Sequence, residues 1–305
     1  MQARPALGIL LALAAATGYG FIPPLARVAF ENGVPAWESA LCRAILIILT
    51  FVAIASALRV PLKVPRHSGC IPALTVLSAS TLFVSLGYLA SVQFIPVGLA
   101  VIIFYTFPVI VLLASPMLEG RSLGAYRLGV ACLAFGGLAI SIGPNLESLD
   151  MRGILFAVLA AFSAAGQLFS ARTLSAHMPP LAFGLIAHLM LLPFMVAAAL
   201  WWSGGSLQLL SDGAVTAAGY GAVLALSVFF VVTYFVHMKS LSFAPASTVA
   251  PFFNAEPVIT MIIATVILGE RLSLNQYLGG AIVLAALVLA GLEGYGRRVW
   301  PGRAA

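Results

Sequence analysis

Long apolar stretches alternate with short polar breaks along the chain, and ten of the stretches are long enough to read as membrane-crossing helices. Spans 1 to 5 fall at about residues 7–28, 36–57, 71–91, 95–118 and 123–142. Pro144, Asn145, Glu147 and Asp150 then mark a polar linker. Spans 6 to 10 follow at about 153–173, 181–202, 214–237, 244–268 and 273–292. Within span 1, Pro23-Pro24 removes two helix donors and predicts a bend in the last third. Pro35 suits the start of span 2, and Arg59, Lys63, Arg66 and His67 form a basic loop after it. Short polar turns at Glu119–Arg121 and Gly269–Arg271, and a Gly/Ser loop with Asp212, separate later spans.

The pattern repeats. Pro96 and Pro108 recur as Pro245 and Pro257 at an offset of 149, and Leu128-Gly129 recurs as Leu278-Gly279 at 150. Upstream, Gly8-Ile9-Leu10 matches Gly153-Ile154-Leu155, and Ala26-Arg27 matches Ala171-Arg172, at 145. One module is therefore present twice, predicting repeats over 1–143 and 153–293, a linker over 144–152 and a tail over 294–305. Five spans is an odd number, so the second copy must enter the membrane from the opposite face. The expected architecture is an all-α polytopic membrane protein of two inverted five-helix repeats.

Composition sharpens this. Hydrophobic residues make up 62% and charged residues 8% of the chain, against about 45–50% and about 25% in soluble domains. Too little polar surface is left to face water. The net charge of +6 accordingly concerns the bilayer and not nucleic acid. With the N-terminus cytoplasmic, Arg4, Arg59, Lys63, Arg66, Arg121, Arg127, Arg172, Lys239, Arg297, Arg298 and Arg303 fall on the cytoplasmic side. Only Arg27, Arg43, Arg152 and Arg271 fall on the other, which favours both termini inside. The first apolar run has a counterpart in the second repeat, so it reads as a retained helix and not a cleaved leader. Cys42, Cys70 and Cys132 form no CxxC pair and read as packing residues. No metal cluster, cofactor motif or GxxxxGK[ST] loop is visible, and no HExxH or GxSxG supports an enzyme.

Each repeat has a Pro-containing fourth helix, a Glu/Gly/Arg turn and a glycine-bearing fifth helix. The turns are Leu118-Glu119-Gly120-Arg121 and Leu268-Gly269-Glu270-Arg271. On these features the chain resembles the bacterial drug/metabolite transporter superfamily, with two EamA-type repeats over residues 7–293. The second turn keeps the family's usual Gly-Glu-Arg order, whereas the first swaps Glu and Gly. Arg43 resembles an arginine common in the family's first repeat. The resemblance implies movement of small metabolites, amino acids or drugs across a bacterial inner membrane, often outward, by a monomer or homodimer.

Polar groups inside apolar runs are the candidate site. Glu256 lies in Phe252-Phe253-Asn254-Ala255-Glu256-Pro257, near the middle of span 9. A carboxyl at that depth must face the bundle interior, a partner or water. It is a candidate for carrying a proton or binding a cationic group, or alternatively a structural group beside the Pro257 break. Its repeat counterpart is Phe107. Arg43, placed toward the outer end of span 2, offers a rigid fork for a carboxylate or phosphate, or else snorkels or braces helices. Its counterpart at 145 is His188, placed toward the inner end of span 7. Asn254, Tyr105, Gln167, Tyr234 and Tyr19 complete the set, each either a site group or interhelical glue. Gly129, Gly136, Gly137, Gly279 and Gly280 read as helix-contact residues, and Trp201, Trp202 and Trp300 as interface anchors.

The expected function is a secondary transporter of a small metabolite, working outward by alternating access around a central cavity and coupled to protons. Its partners are the bilayer, a small-molecule substrate and protons. The alternative is a facilitative transporter or channel without proton coupling.

Overall fold

The computed structural model describes residues 5–65, 69–107, 109–111, 113–114, 124–142, 150–175, 177–205, 215–243 and 255–299. The described residues form helices and connections, with no strand among them. In chain order the helices are α1 (Pro5–Gly20), α2 (Ile22–Glu31), α3 (Ala36–Ala57), α4 (Cys70–Phe94), α5 (Val97–Phe104) and α6 (Ala125–Ile142). After these come α7 (Met151–Ser175), α8 (Pro180–Trp202), α9 (Ala217–Phe243), α10 (Ala255–Leu268) and α11 (Leu274–Val299).

Six apolar segments are long enough to cross a membrane, at Ala6–Glu31, Ala36–Ala57, Cys70–Phe94, Met151–Ala171, Pro180–Trp202 and Ala217–His237. Shorter apolar helices at Val97–Val111, Leu128–Ser141, Ala255–Leu268 and Leu274–Ala286 occupy spans 4, 5, 9 and 10. The chain is therefore an all-α, multi-pass membrane protein. Pro108, Glu119–Arg121, most of the linker, Asp212, Pro245, Trp300, Arg66 and His67 lie outside the described residues.

Two boundaries differ from expectation for a physical reason. The break expected at the prolines of span 1 falls just before them, and they begin a second helix. The helix is interrupted at Phe21, and Pro23 and Pro24 occupy the first turn of α2, where their missing N–H groups would have no helical acceptor anyway. Span 8 runs on to Phe243, beyond its expected end at 237, because His237, Lys239 and Ser240 are compatible with helix.

The helices sort into two compact units, each drawing on both repeats. One comprises Met1–Pro24, Pro96–Asp150 and Val232–Ala305. Within it α1 and α5 pack on α10, and α6 packs along α11. Helices in lipid gain little from the hydrophobic effect and rely on close fit, so small residues mark their contacts. A Cβ on Gly137 would lie 2.8 Å from the carbonyl oxygen of Gly279, and one on Gly279 would collide with Ser141 and Gly137. Val109, Val130, Ala131, Ala134 and Ala286 form the adjoining core.

The other unit comprises Leu25–Ile95 and Met151–Val231. Here α4 packs along α7, and α8 packs on both α3 and α4. Gly87 admits the Phe156 carbonyl oxygen, 3.0 Å from where a Cβ would stand. Cys70, Leu74, Leu77, Leu174 and Phe183 belong to one buried cluster within it. Cys70 thus packs as expected, whereas Cys132 on α6 is exposed. Gly129 and Gly136 also depart from expectation, since a Cβ on either would meet nothing within 4 Å.

Candidate functional site

The first unit brings Glu256 and Tyr105 together. Tyr105 follows the last residue of α5, where the backbone tightens: the Tyr105 N–H still reaches Val101 O, but that of Thr106 reaches only Ile103 O, at 3.1 Å. Pro108 lies three residues on from Tyr105 and has no N–H for the carbonyl of Phe104. The Tyr105 ring clusters with Phe104 and Phe107, with centroids 5.6 and 5.8 Å away. Its side chain is hydrogen-bonded to that of Glu256. Tyr105 is buried, whereas Glu256, in the first turn of α10, is partly accessible. Phe107, the repeat counterpart of Glu256, thus buttresses the tyrosine that Glu256 contacts.

Tyr19 meets a group that sequence reasoning passed over. Its ring stands edge-on to His237, with centroids 6.1 Å apart and planes at 86°. One residue earlier a Cβ on Gly18 would collide with the Thr233 hydroxyl, so α1 and α9 touch closely here. Span 8 is expected to end at about residue 237, yet α9 continues more than a turn past His237. A titratable side chain inside an apolar run was the signal that could have found it. Tyr234 is partly buried and lies 6.0 Å from Phe235, edge to face. Thr260 is fully buried, and its hydroxyl has no hydrogen-bond partner among the described residues. Asn254 lies outside the described residues.

In the second unit, Arg43 is buried with its guanidinium over the Phe230 ring, 4.5 Å from the centroid. It also acts electrostatically on His188. The two repeat counterparts thus lie close enough for one to influence the other. His188 Nδ1 is 2.8 Å from the carbonyl oxygen of Gly184, one turn back on α8, and its ring meets Phe51 at 5.9 Å. Gln167 Nε2 donates to Thr81 Oγ1 at 2.9 Å, which ties α7 to α4.

No group of three or more metal-ligating side chains occurs among the described residues. A groove of about 190 Å³ between Val52, Ala55, Ser56, Val60, Leu62 and Leu185 is lined by none of the candidate residues. The arrangement therefore offers one carboxyl with a phenol donor and one stacked guanidinium beside an imidazole. Such groups bind, orient and exchange protons.

Comparison with known proteins places this geometry. The model of the EamA-like transporter family matches twice, over residues 6–143 and 151–292. The uncharacterized transporter YwfM of Bacillus subtilis (strain 168) is 27% identical over 160 residues, spanning 52% of each chain. The chain thus covers about half of that relative's length. A probable amino-acid metabolite efflux pump of Escherichia coli (strain K12) is 25% identical over 201 residues, 64% of this chain and 67% of the relative. A protein crystal structure shares the fold at a TM-score of 0.62 and 16% identity, covering 94% of this chain and 98% of the other. With two matches that together take in almost the whole sequence, the chain belongs to the EamA-like transporter family.

Proposed function

We propose that the protein is a secondary transporter that exports a small metabolite, of the amino-acid class, by alternating access, and that Glu256 couples it to protons. The observation carrying this reading is the Glu256 carboxyl, hydrogen-bonded to Tyr105 within otherwise apolar helices. A carboxyl held at such depth has a use beyond packing, since a purely structural position is filled more cheaply by an apolar side chain. The substrate class rests on the E. coli relative, whose name is that of an amino-acid metabolite efflux pump.

A parity argument supports the inverted repeats. Side-chain contacts within each unit join points that the ten-span reading separates by an even number of crossings. Arg27 donates to Val92 O at 2.7 Å, two crossings on, and Arg152 stacks over Phe94 at 4.4 Å, again two crossings away. Thr216 donates to Asn32 at 2.7 Å and Tyr126 donates to Leu289 O at 2.9 Å, each across six. Even counts return the chain to the same face. With five spans per repeat, the second copy is then upside down relative to the first, and both termini share the cytoplasmic side of a bacterial inner membrane.

The test is flux in sealed proteoliposomes with a pool of amino acids and an imposed pH gradient. Accumulation that collapses with the gradient, and that Glu256→Gln abolishes while movement down the solute gradient persists, supports the assignment. A pH dependence unchanged in Glu256→Gln removes proton coupling and leaves a facilitative transporter. Flux beyond one event per conformational cycle would make it a channel.

A further inference from the structure

At the end of α3 a basic loop and an apolar groove lie side by side, and neither is used by the transport reading. The helix ends in a Schellman arrangement: Val60 N–H donates to Ala55 O at 3.0 Å and Arg59 N–H to Ser56 O at 3.3 Å. The left-handed position of that motif is ordinarily glycine, yet here it is Arg59, at φ 50°. The motif holds the loop firmly, because Val60 then packs on the buried cluster of Cys70 and Leu74. Arg59 and Lys63 are both exposed, and neither is in an ion pair among the described residues. With no acid among the described residues paired to it, Arg59 leaves the negative charge to be supplied from outside the chain.

The apolar side has a matching shape. The groove of about 190 Å³ is lined by Val52, Ala55, Ser56, Val60, Leu62 and Leu185, next to both basic residues in sequence. It continues along one face of α3, where Ile45, Leu49 and Val52 are 36%, 61% and 43% exposed. From Ile45 to Ser56 the helix rises about 16 Å. That is about half of a hydrocarbon core roughly 30 Å thick, or one leaflet. An occupant with a negative head at Arg59 and Lys63 and an apolar tail of one leaflet's length satisfies both features.

We infer that this face of α3 is a binding site for an anionic phospholipid. Its phosphate sits between Arg59 and Lys63, and one acyl chain lies in the groove and along Val52, Leu49 and Ile45. Arginine and lysine at the bilayer surface attract anionic headgroups, and their stems cover the apolar rim of the groove. The charge complementarity selects a lipid over a protein segment, since the tail-binding surface faces where lipid is already present.

The test uses the full chain purified in detergent, with lipids retained on it counted by native mass spectrometry after exposure to phosphatidylglycerol or phosphatidylcholine vesicles. The wild type should retain phosphatidylglycerol in preference. Arg59→Gln with Lys63→Gln should weaken that retention roughly thirty-fold, the loss expected for two surface cations. Ser56→Phe, which fills the groove at an exposed position, should weaken it with both charges intact. Arg59→Gly relieves the left-handed residue, so it should fold at least as well, judged by its melting temperature in phosphatidylcholine, and still lose headgroup binding. Equal retention of both lipids, or phosphatidylglycerol retention unchanged in the double variant or in Ser56→Phe, would overturn the proposal. So would displacement of the lipid by millimolar inorganic phosphate, which would make this a site for a free anion.

Discussion

Glu270 closes the start of α5 from a distance in sequence: its carboxylate accepts the N–H of Val97 at 2.9 Å and that of Gly98 at 3.3 Å. These are two of the four amide groups that a helix start leaves without partners. Pro96 precedes them and has no side chain able to cap them. Gly269, at φ 65°, ends α10 in the left-handed conformation and delivers Glu270 to that position. The Gly-Glu part of the Gly-Glu-Arg turn is thereby explained as a cap supplied by the second repeat to the first. Glu270→Ala is expected to lower stability by about 1–2 kcal/mol, and Glu270→Gln by less, because the amide keeps one acceptor. Melting of the purified variants in detergent measures both.

The contact of α6 with α11 makes a prediction that separates neighbouring glycines. Gly279→Val has no room against Ser141 and Gly137 O, whose backbone cannot retreat. It is expected to cost about 1–3 kcal/mol or to prevent folding, as overpacking does. Gly136→Ala, one residue from the contacting Gly137, meets open space and should be neutral or stabilising by about 0.5–1 kcal/mol, since helical glycine is unfavourable. Equal losses from the two substitutions would refute the packing account.

These residues also show what was legible in the sequence. Spans 2, 3, 6 and 7 correspond to α3, α4, α7 and α8 within a few residues, because length and apolarity are local properties. The doubled family match agrees with the repeats read from proline and glycine spacing. Partners were not legible. Gly136 and Gly137 are adjacent and alike in sequence, but only one faces α11. Glu270 read as an interfacial turn residue because its partner lies in the other repeat. Tyr105 and Glu256 were named separately, and nothing along the chain announced their contact. His237 stands at the expected end of span 8, whereas α9 continues six residues further, to Phe243.

Arg43 tests whether its role is binding or bracing. Its guanidinium lies 4.5 Å over Phe230 and is buried, a geometry worth up to about 2 kcal/mol when desolvated. Arg43→Lys keeps the charge but loses the planar fork and the stack. If Arg43 holds an anionic group of the substrate, Arg43→Lys should raise KM about tenfold or more while the substrate-free melting temperature changes little. A bracing role predicts the converse, a melting loss shared by Phe230→Leu with KM unchanged.

The last prediction concerns the Tyr105–Glu256 hydrogen bond. A phenol donating to a carboxylate contributes about 1.5–3 kcal/mol more to the charged form than to a form that no longer accepts it. Tyr105→Phe removes only the hydroxyl, and the ring keeps its contacts with Phe104 and Phe107. Folding should therefore be nearly unchanged. If Glu256 couples protons, the pH profile of gradient-driven uptake should move relative to wild type in Tyr105→Phe. In Glu256→Gln that profile should be flat. The double variant should behave as Glu256→Gln alone, because a donor cannot tune a carboxyl that has been removed, so the two effects are non-additive. Additive losses of uptake would show that the residues act separately, and Tyr105 would then be a packing residue. Uptake measured between pH 5 and 8 in the four proteins separates these outcomes.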